Sequence, residues 1–498
     1  MDAEQLRDEI RAGRIDVDRL VDLIVMQQKQ LQEAQRRIEE LEKQLGRKPS
    51  QKLDEPFSMR AEQQRQEARG KPGRKRKNKT GRRGRITNAE KIARAERTEP
   101  VYPADVARSE CRLSHTRVAW RLENGQAVLV AYEIYRGPGN RYGVISGVQG
   151  RSEFGIEIVI AIAYQVYVIG LSFDKVCLLM NFFQNLSLRK SQADALLNQL
   201  ARQWESEFDN LCTLLANSAV VHADETSWSI HSVWAFLSET VRVLFFGVHK
   251  DAATLSQILD PATFAGIVIS DDAAVYANFT HSQKCWAHLL RKAIKLTLLE
   301  PDNAEYREFA DRLLAIYREA CRVKADRRFG EAGRKNKVAA LDDEVLALCG
   351  GVWFADFPPT EGTANDFRLL ANELMRLMLS QQLFTFVTAT DTESPNGEPL
   401  RVPGTNNEAE RTLRGSAQAR VTGRTNKTLR GARRQTIVLS VLESLRCHLT
   451  SFTLTHVIDE ILHWQQVGES CFSALLKRLQ LPPPAASPLD SIYSPSPN

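Results

Sequence analysis

His222-Ala-Asp-Glu-Thr-Ser-Trp228 follows the apolar pair Val220-Val221. The stretch reads as a strand that ends on two adjacent carboxylates, and a buried carboxylate is costly unless a cation meets it. The cation, or further ligands for one, must come from elsewhere in the chain. Working outward, residues 218 to 300 read as strand, a strand hairpin (VWAFLSE and VRVLFFGVHK), a short helix over AATLSQIL, an apolar strand GIVIS and a helix over KCWAHLLRKAIKL. That order predicts a mixed α/β sheet with helices on its faces.

Within this frame Asp224 closes the first strand, Asp271 closes GIVIS, and Glu410 lies in TNNEAERTLRG, which opens a helix with Asn406 or Asn407 as its cap. Acids at strand ends, joined by one from a nearby helix, converge on one point only if their repulsion is relieved. Divalent ions relieve it, and Mg²⁺ takes a few carboxylates together with water and phosphate oxygens. Glu408 and Glu410 point about 200° apart on a helix, so one of them faces such a site.

The flanks set the class of protein. With 43% apolar and 26% charged residues over 498 positions, the chain has soluble, multi-domain composition. Its eight cysteines contain no CxxC pair, which predicts a reducing, cytoplasmic setting without a disulfide framework. The start, MDAEQLRDEI, lacks the basic and apolar regions of an export signal. Residues 154 to 173 are long and apolar but carry Glu157 and Gln165, so they are expected as buried helix and no membrane partner is predicted.

Residues 69 to 85, RGKPGRKRKNKTGRRGR, hold ten basic residues and no acid; the rest of the chain has 57 basic against 61 acidic residues, or −4. The positive excess sits in one arm, expected as a disordered tether for nucleic acid, with Arg74, Lys75, Arg76, Lys77, Arg82 and Arg83 at its centre. Before it, positions 17, 20, 24, 27, 31, 34, 38, 41 and 45 form a heptad seam, expected as a coiled-coil helix over 1–46 in a parallel dimer or higher oligomer, with Gln27 fixing register. A basic linker covers 47–98. A small β unit with an Asn124-Gly125 hairpin turn covers 99–150. Residues 151–216 are helical, and 171 to 200 read either as a DNA-reading helix-turn-helix, with Ser187 and Ser191 as caps, or as a buried hairpin. Charged amphipathic helices cover 301–400, a helix follows from 451, and the Pro- and Ser-rich tail from Pro482 is expected to be disordered.

Taken together, HADETSW, then SDDAAVY followed by CWAHLLRK, then NNEAERTLRG resemble the three signature blocks of the insertion sequence 66 family of bacterial DDE transposases. The resemblance spans most of residues 1 to 450. It implies an RNase H-like catalytic domain in two parts, 217–300 and 401–450, split by the helical insertion 301–400. It also implies that Asp224, Asp271 and Glu410 are the catalytic, metal-holding acids, that Arg411 is the arginine of the last block, and that His288 and Arg291 bind or orient the scissile phosphate. The chain departs from the family where Asp272-Ala273 follows the second acid, which makes Asp272 a rival ligand. Thr405 stands for an Asp, and only Cys111 and His115 remain at the zinc-module position, so no zinc is expected there.

The implied activity is cleavage of element ends and strand transfer into target DNA with two Mg²⁺ ions, Mn²⁺ being the alternative. Partners are the element's terminal inverted repeats, target DNA and accessory proteins of the same element, at the bacterial nucleoid. An inactive relative that only binds DNA, and a coiled-coil adaptor, stay open as rivals. Residues 411 to 434 hold eight basic residues and no acid, and Arg411, Arg414, Arg420 and Arg424 are expected on the DNA backbone. Trp228, Trp234 and Trp286 are expected in the core. Cys285 and His288 form half of a metal site with no second half evident in the sequence. Glu225 is expected to point to the opposite face from Asp224 in a structural role.

Overall fold

The computed structural model describes residues 86–353, 362–389, 401–484 and 487–493, all within the unit Arg76–Asn498. The heptad seam, the tether centre and its six named cations lie outside the described residues.

The linker expected to run to residue 98 is already ordered by 88. Helix α1 (Asn88–Ile92) begins on a capping box in which Thr87 accepts from Glu90 N–H and Glu90 accepts from Thr87 N–H. Strands β1 (Arg97–Val101), β2 (Arg112–Glu123), β3 (Gln126–Gly137) and β4 (Arg141–Tyr142) form the first sheet, in order β1-β3-β2 with β4 pairing β3. Asn124 and Gly125 both take positive φ, as the two-residue β2–β3 hairpin requires.

Four helices follow: α2 (Ile156–Ala163), α3 (Phe173–Gln184), α4 (Lys190–Gln203) and α5 (Glu205–Ala216). The long apolar run does not stay helical to Phe173, because α2 passes into a π turn over Tyr164–Val168 and the chain breaks at Gly170, φ +78°. No described helix is long and apolar enough to cross a membrane. Neither Ser187 nor Ser191 caps α4. Arg189 holds the N-cap position and its N–H donates to the Gln192 side chain at 3.0 Å.

The second sheet contains β5 (Val220–Ser227), β6 (Ser232–Leu237), β7 (Arg242–Val248), β8 (Ile267–Ser270) and β9 (Ser282–Lys284), in order β7-β6-β5-β8-β9. The β5–β6 and β6–β7 pairs are antiparallel, while β5–β8 and β8–β9 are parallel. The short strand β9 takes Lys284, which the sequence assigned to the following helix. Helix α6 (Ala252–Ile258) links β7 toward β8, and α7 (Trp286–Leu299) leads into α8 (Ala304–Ala325), α9 (Glu331–Trp353), α10 (Thr363–Leu379) and α11 (Thr385–Thr388).

Side-chain alternation splits the core between the two faces of this sheet. Val221, Ala223 and Val268 join α2 to α5 and the C-terminal helices in one cluster, whereas Ile267 and Ile269 join α7 to α11 in another. Trp234 and Trp286 are fully buried and Trp228 nearly so, which is the core role expected for them.

The chain returns through α12 (Asn407–Val421) and α13 (Leu429–His448). Helix α13 lies along the outer edge of β7. Thr436, Ser440 and Ser444, spaced four apart, accept from the N–H groups of Phe246, Leu244 and Arg242, each at 2.9 Å. Four helical residues rise about 6.0 Å and two strand residues about 6.7 Å, so the two ladders stay nearly in step. Gly247 permits the approach, since a Cβ there would sit 2.9 Å from the Ala432 Cβ. At the opposite edge, Lys284 N–H donates to the Gln382 carbonyl (2.9 Å) and the Thr385 hydroxyl to the Ser282 carbonyl (2.8 Å).

Helices α14 (Leu454–Val467), α15 (Cys471–Arg478) and α16 (Pro488–Ile492) complete the described chain. The tail is therefore ordered over 487–493, against expectation. Leu489 is buried, and the Tyr493 hydroxyl donates to the Phe246 carbonyl at 2.7 Å.

Candidate functional site

Asp224 does not close β5 as the sequence suggested; the strand runs three residues further, to Ser227, because 224 to 227 still pair with β6. Asp271 does follow the last residue of β8. In the parallel pair, His222 faces Ile269. Continuing that register by two residues sets Asp224 beside Asp271 on one face. Glu225 then belongs to the other face, as expected from the pleat.

Glu410 reaches the same neighbourhood from the first turn of α12, and the tie that brings it there is Asn406. This residue is fully buried at the start of α12 but does not cap it with its side chain. Its Nδ2 instead donates to the Ala223 carbonyl (2.8 Å), its Oδ1 meets His222 Nδ1 (3.0 Å), and its backbone N–H donates to Cys285 Sγ (3.1 Å). One side chain thus fastens the helix bearing Glu410 to the residue before Asp224. The backbone contact adds the residue that begins α7. As the 200° separation required, Glu408 turns away and pairs with Arg242 at 2.7 Å.

The acids share an electrostatic environment. Burial, then the charge of Glu225, then those of Asp271 and Glu410, push the Asp224 carboxyl up from 3.8 to about 7. The Asp224 carboxylate also accepts the Glu225 N–H at 3.0 Å.

Cations surround this cluster on named elements. Arg291 of α7 donates to both oxygens of Glu410, at 2.7 and 2.9 Å, while remaining 53% exposed. His288 Nδ1 lies 3.5 Å from Glu410 Oε1, and burial, reinforced by Arg291, lowers its pKa. Asp272, the rival to Asp271, is drawn away into an ion pair with Arg376 of α10. Below Asp271, the buried Lys284 donates to Ser270 Oγ (3.0 Å) and to the Asp271 carbonyl (3.2 Å), and desolvation lowers its ammonium to about 8.

Cys285 and His288, read as half of a site, gain Glu410 as a third donor; their ligand atoms all lie within 4.8 Å of one another. Among the described residues these three are the donors that come within such reach of one another, whereas Asp271 and Glu410 act on Asp224 through their charge. Burial raises the Cys285 thiol above its ordinary value, which disfavours the thiolate that a metal needs.

Of the basic run, Arg411, Arg414, Arg420 and Arg424 are exposed. Arg420 also donates to the Ser227 carbonyl (3.0 Å) and Arg424 to the Gly170 carbonyl (2.9 Å). Arg433 and Arg434 are held by acids within the fold, Arg434 on Asp194 at 2.5 Å. Cys111 donates to the Ala107 carbonyl at 3.4 Å, while His115 Nδ1 meets the Ser114 hydroxyl at 3.2 Å.

Residues 151–434 match the family described as Transposase IS66 family. The chain belongs to that family. No curated protein matches it. Sequence reasoning on this IS66-family chain missed the roles of Asn406, Lys284 and Arg376. The adjacent Asn406-Asn407 pair before a helix was the available signal for the first, but it suggested a cap. The other two gave none, because each acquires its role only when separate elements meet.

Proposed function

We propose that this IS66-family protein is a DNA transposase whose chemistry is carried by Asp224, Asp271 and Glu410, with an RNase H-like catalytic domain interrupted by the α8–α11 insertion. The strand order β7-β6-β5-β8-β9, with the first three strands antiparallel and the last two parallel to β5, supports the fold reading. The single observation that supports the function is the arrangement of the acids: Asp224 on β5, Asp271 just after the adjacent parallel strand β8, and Glu410 on a helix tied to β5 through Asn406, with the charges of Asp271 and Glu410 both acting on Asp224.

That donor set fits a hard divalent cation. Three carboxylates offer oxygen ligands only, and their mutual repulsion is what such an ion relieves. Asp224, Asp271 and Glu410 would hold Mg²⁺ or Mn²⁺, which when bound supplies Lewis-acid polarisation of the scissile phosphate and a stronger oxygen nucleophile. The mixed Cys285-His288-Glu410 set suits softer ions, but burial raises its thiol and disfavours the thiolate that such an ion needs.

The protein's own groups do the rest. Arg291, exposed and paired with Glu410, is placed to exchange that carboxylate for a phosphate oxygen, where its fork gives two parallel hydrogen bonds. His288 is held neutral by burial and by Arg291, so it serves as a hydrogen-bonding group rather than as a fixed charge. Lys284 fixes the backbone on which Asp271 is mounted, and Arg376 keeps Asp272 from competing. The exposed arginines of α12 and the loop after it supply backbone contacts to DNA.

The test is Mg²⁺-dependent nicking and joining of DNA carrying the element's own terminal repeats, compared between the intact chain and Glu410→Gln. Products from the intact chain alone are expected. No product from either protein, or equal product from both, would favour a DNA-binding role without catalysis.

A further inference from the structure

The acid cluster has a neighbouring cation that the reading above leaves unused. Lys250 lies between β7 and α6, one residue ahead of Asp251, whose carboxylate accepts the Thr254 N–H (2.7 Å) at the start of α6. Its ammonium is 2.6 Å from Glu225 Oε1. The two side chains differ sharply in exposure: Glu225 is 2% exposed and Lys250 is 54% exposed. Glu225 also accepts the hydroxyl of Tyr276, a buried residue on the loop that follows Asp271. The carboxylate is thus gripped from inside by a phenol and presents its other side to the lysine.

An ammonium has three donors, and Glu225 engages one. A free lysine on a four-carbon stem surrenders considerable rotamer entropy when it fixes on a ligand. Tethering to a buried carboxylate reduces that loss by setting the charge in place beforehand. Glu225 is the chain neighbour of Asp224, to whose carboxylate its N–H donates at 3.0 Å, and Tyr276 belongs to the loop after Asp271, so the ammonium is anchored to the elements that carry both acids. Arg291 and His288 flank Glu410, whereas Lys250 is held at Glu225, beside the strand end that carries Asp224.

We propose that Lys250 binds a backbone phosphate of the DNA strand held at Asp224, Asp271 and Glu410, and that Glu225 acts as the positioning residue that aims its ammonium. The assignment rests on the DNA-cleaving reading above. Lys250 contacts substrate at a phosphate; Glu225 acts only through Lys250.

The experiment measures binding of a labelled duplex carrying the terminal repeat over a salt series. Ca²⁺ replaces Mg²⁺, since it takes the same oxygen ligands. Lys250→Met and Lys250→Gln should each reduce the slope of log affinity against log salt by about 0.9, the value of one phosphate contact, while Lys250→Arg should retain it. Because Gln keeps a donor for Glu225, it separates loss of charge from loss of fold. Neutral methylphosphonates placed one at a time around the cut site should reveal one position that weakens the wild type and leaves Lys250→Gln unaffected. In Glu225→Gln that sensitivity should spread over neighbouring positions; sensitivity still confined to one position would remove Glu225 from the assignment. An unchanged slope in both Met and Gln variants, with no such phosphate, would overturn the role of Lys250. Asp224→Asn distinguishes the two levels. If it cleaves normally, the catalytic reading fails whatever Lys250 does; if it abolishes cleavage while Lys250→Gln keeps the full salt slope, only the Lys250 assignment fails.

Discussion

Replacing Asp224 with Asn is expected to stabilise the metal-free protein, and to do so more strongly as the pH rises. The folded chain holds the Asp224 proton up to about pH 7, whereas the ordinary value is 3.8. Between those values the native state binds a proton that the unfolded chain has released. The contribution of Asp224 to stability is therefore highest below about pH 4 and declines as the pH climbs to about 7, at about 1.4 kcal/mol per pH unit. The whole interval sets a ceiling of about 4 kcal/mol. Charge sharing with Glu225, Asp271 and Glu410 spreads the titration, so a difference of about 2 to 4 kcal/mol is expected above neutrality. Asn keeps the oxygen that accepts the Glu225 N–H and removes only the charge. The assay is urea unfolding of both proteins in chelator at about pH 4, 6 and 8, followed by Mg²⁺ addition. The wild type should gain about 2.7 kcal/mol at a hundredfold excess over its dissociation constant, and the variant less. A stability difference that does not change with pH would refute the claim that burial and neighbouring carboxylates raise the proton affinity of Asp224.

Asn406→Ala should cost about 2 to 5 kcal/mol, since the Ala223 carbonyl and His222 Nδ1 both lose their partner in the core; chemical denaturation measures it, and an effect below about 1 kcal/mol would mean the tie is dispensable. Ser440→Ala leaves the Leu244 N–H buried without an acceptor and should lower stability by about 1 to 3 kcal/mol, whereas changing the exposed Glu239 should do little. Deleting residues 69 to 85 should flatten the salt dependence of DNA affinity by several units of slope, each phosphate contact contributing about 0.9. An unaltered slope after deletion would show that the arm does not touch DNA.

Much of the central architecture was legible because it is written locally. The apolar runs of β5 to β8, the Asn124-Gly125 turn and the opposed directions of Glu408 and Glu410 depend on residues close in sequence. The end of β5 was misplaced because polarity was read as termination. Residues 224 to 227 remain in the strand because β6 lies beside them, a fact that belongs to the partner strand. Asn406 was misread for a related reason: Asn before a helix ordinarily caps it, and only the arrival of β5 offers a better use for its amide. The ordered tail shows the same limit, since Leu489 and Tyr493 acquire partners only after α13 and β7 are assembled. The alternation of Thr436, Ser440 and Ser444 was visible as a spacing of four, but an isolated helix gives no reason for it.

Because α13 accepts the N–H groups of Arg242, Leu244 and Phe246 in β7, and Gln382 and Thr385 engage Lys284 and Ser282 in β9, both edges of the second sheet are covered from within the chain among the described residues. An edge covered in this way offers a second chain little to pair with, so the sheet is protected against edge-to-edge extension.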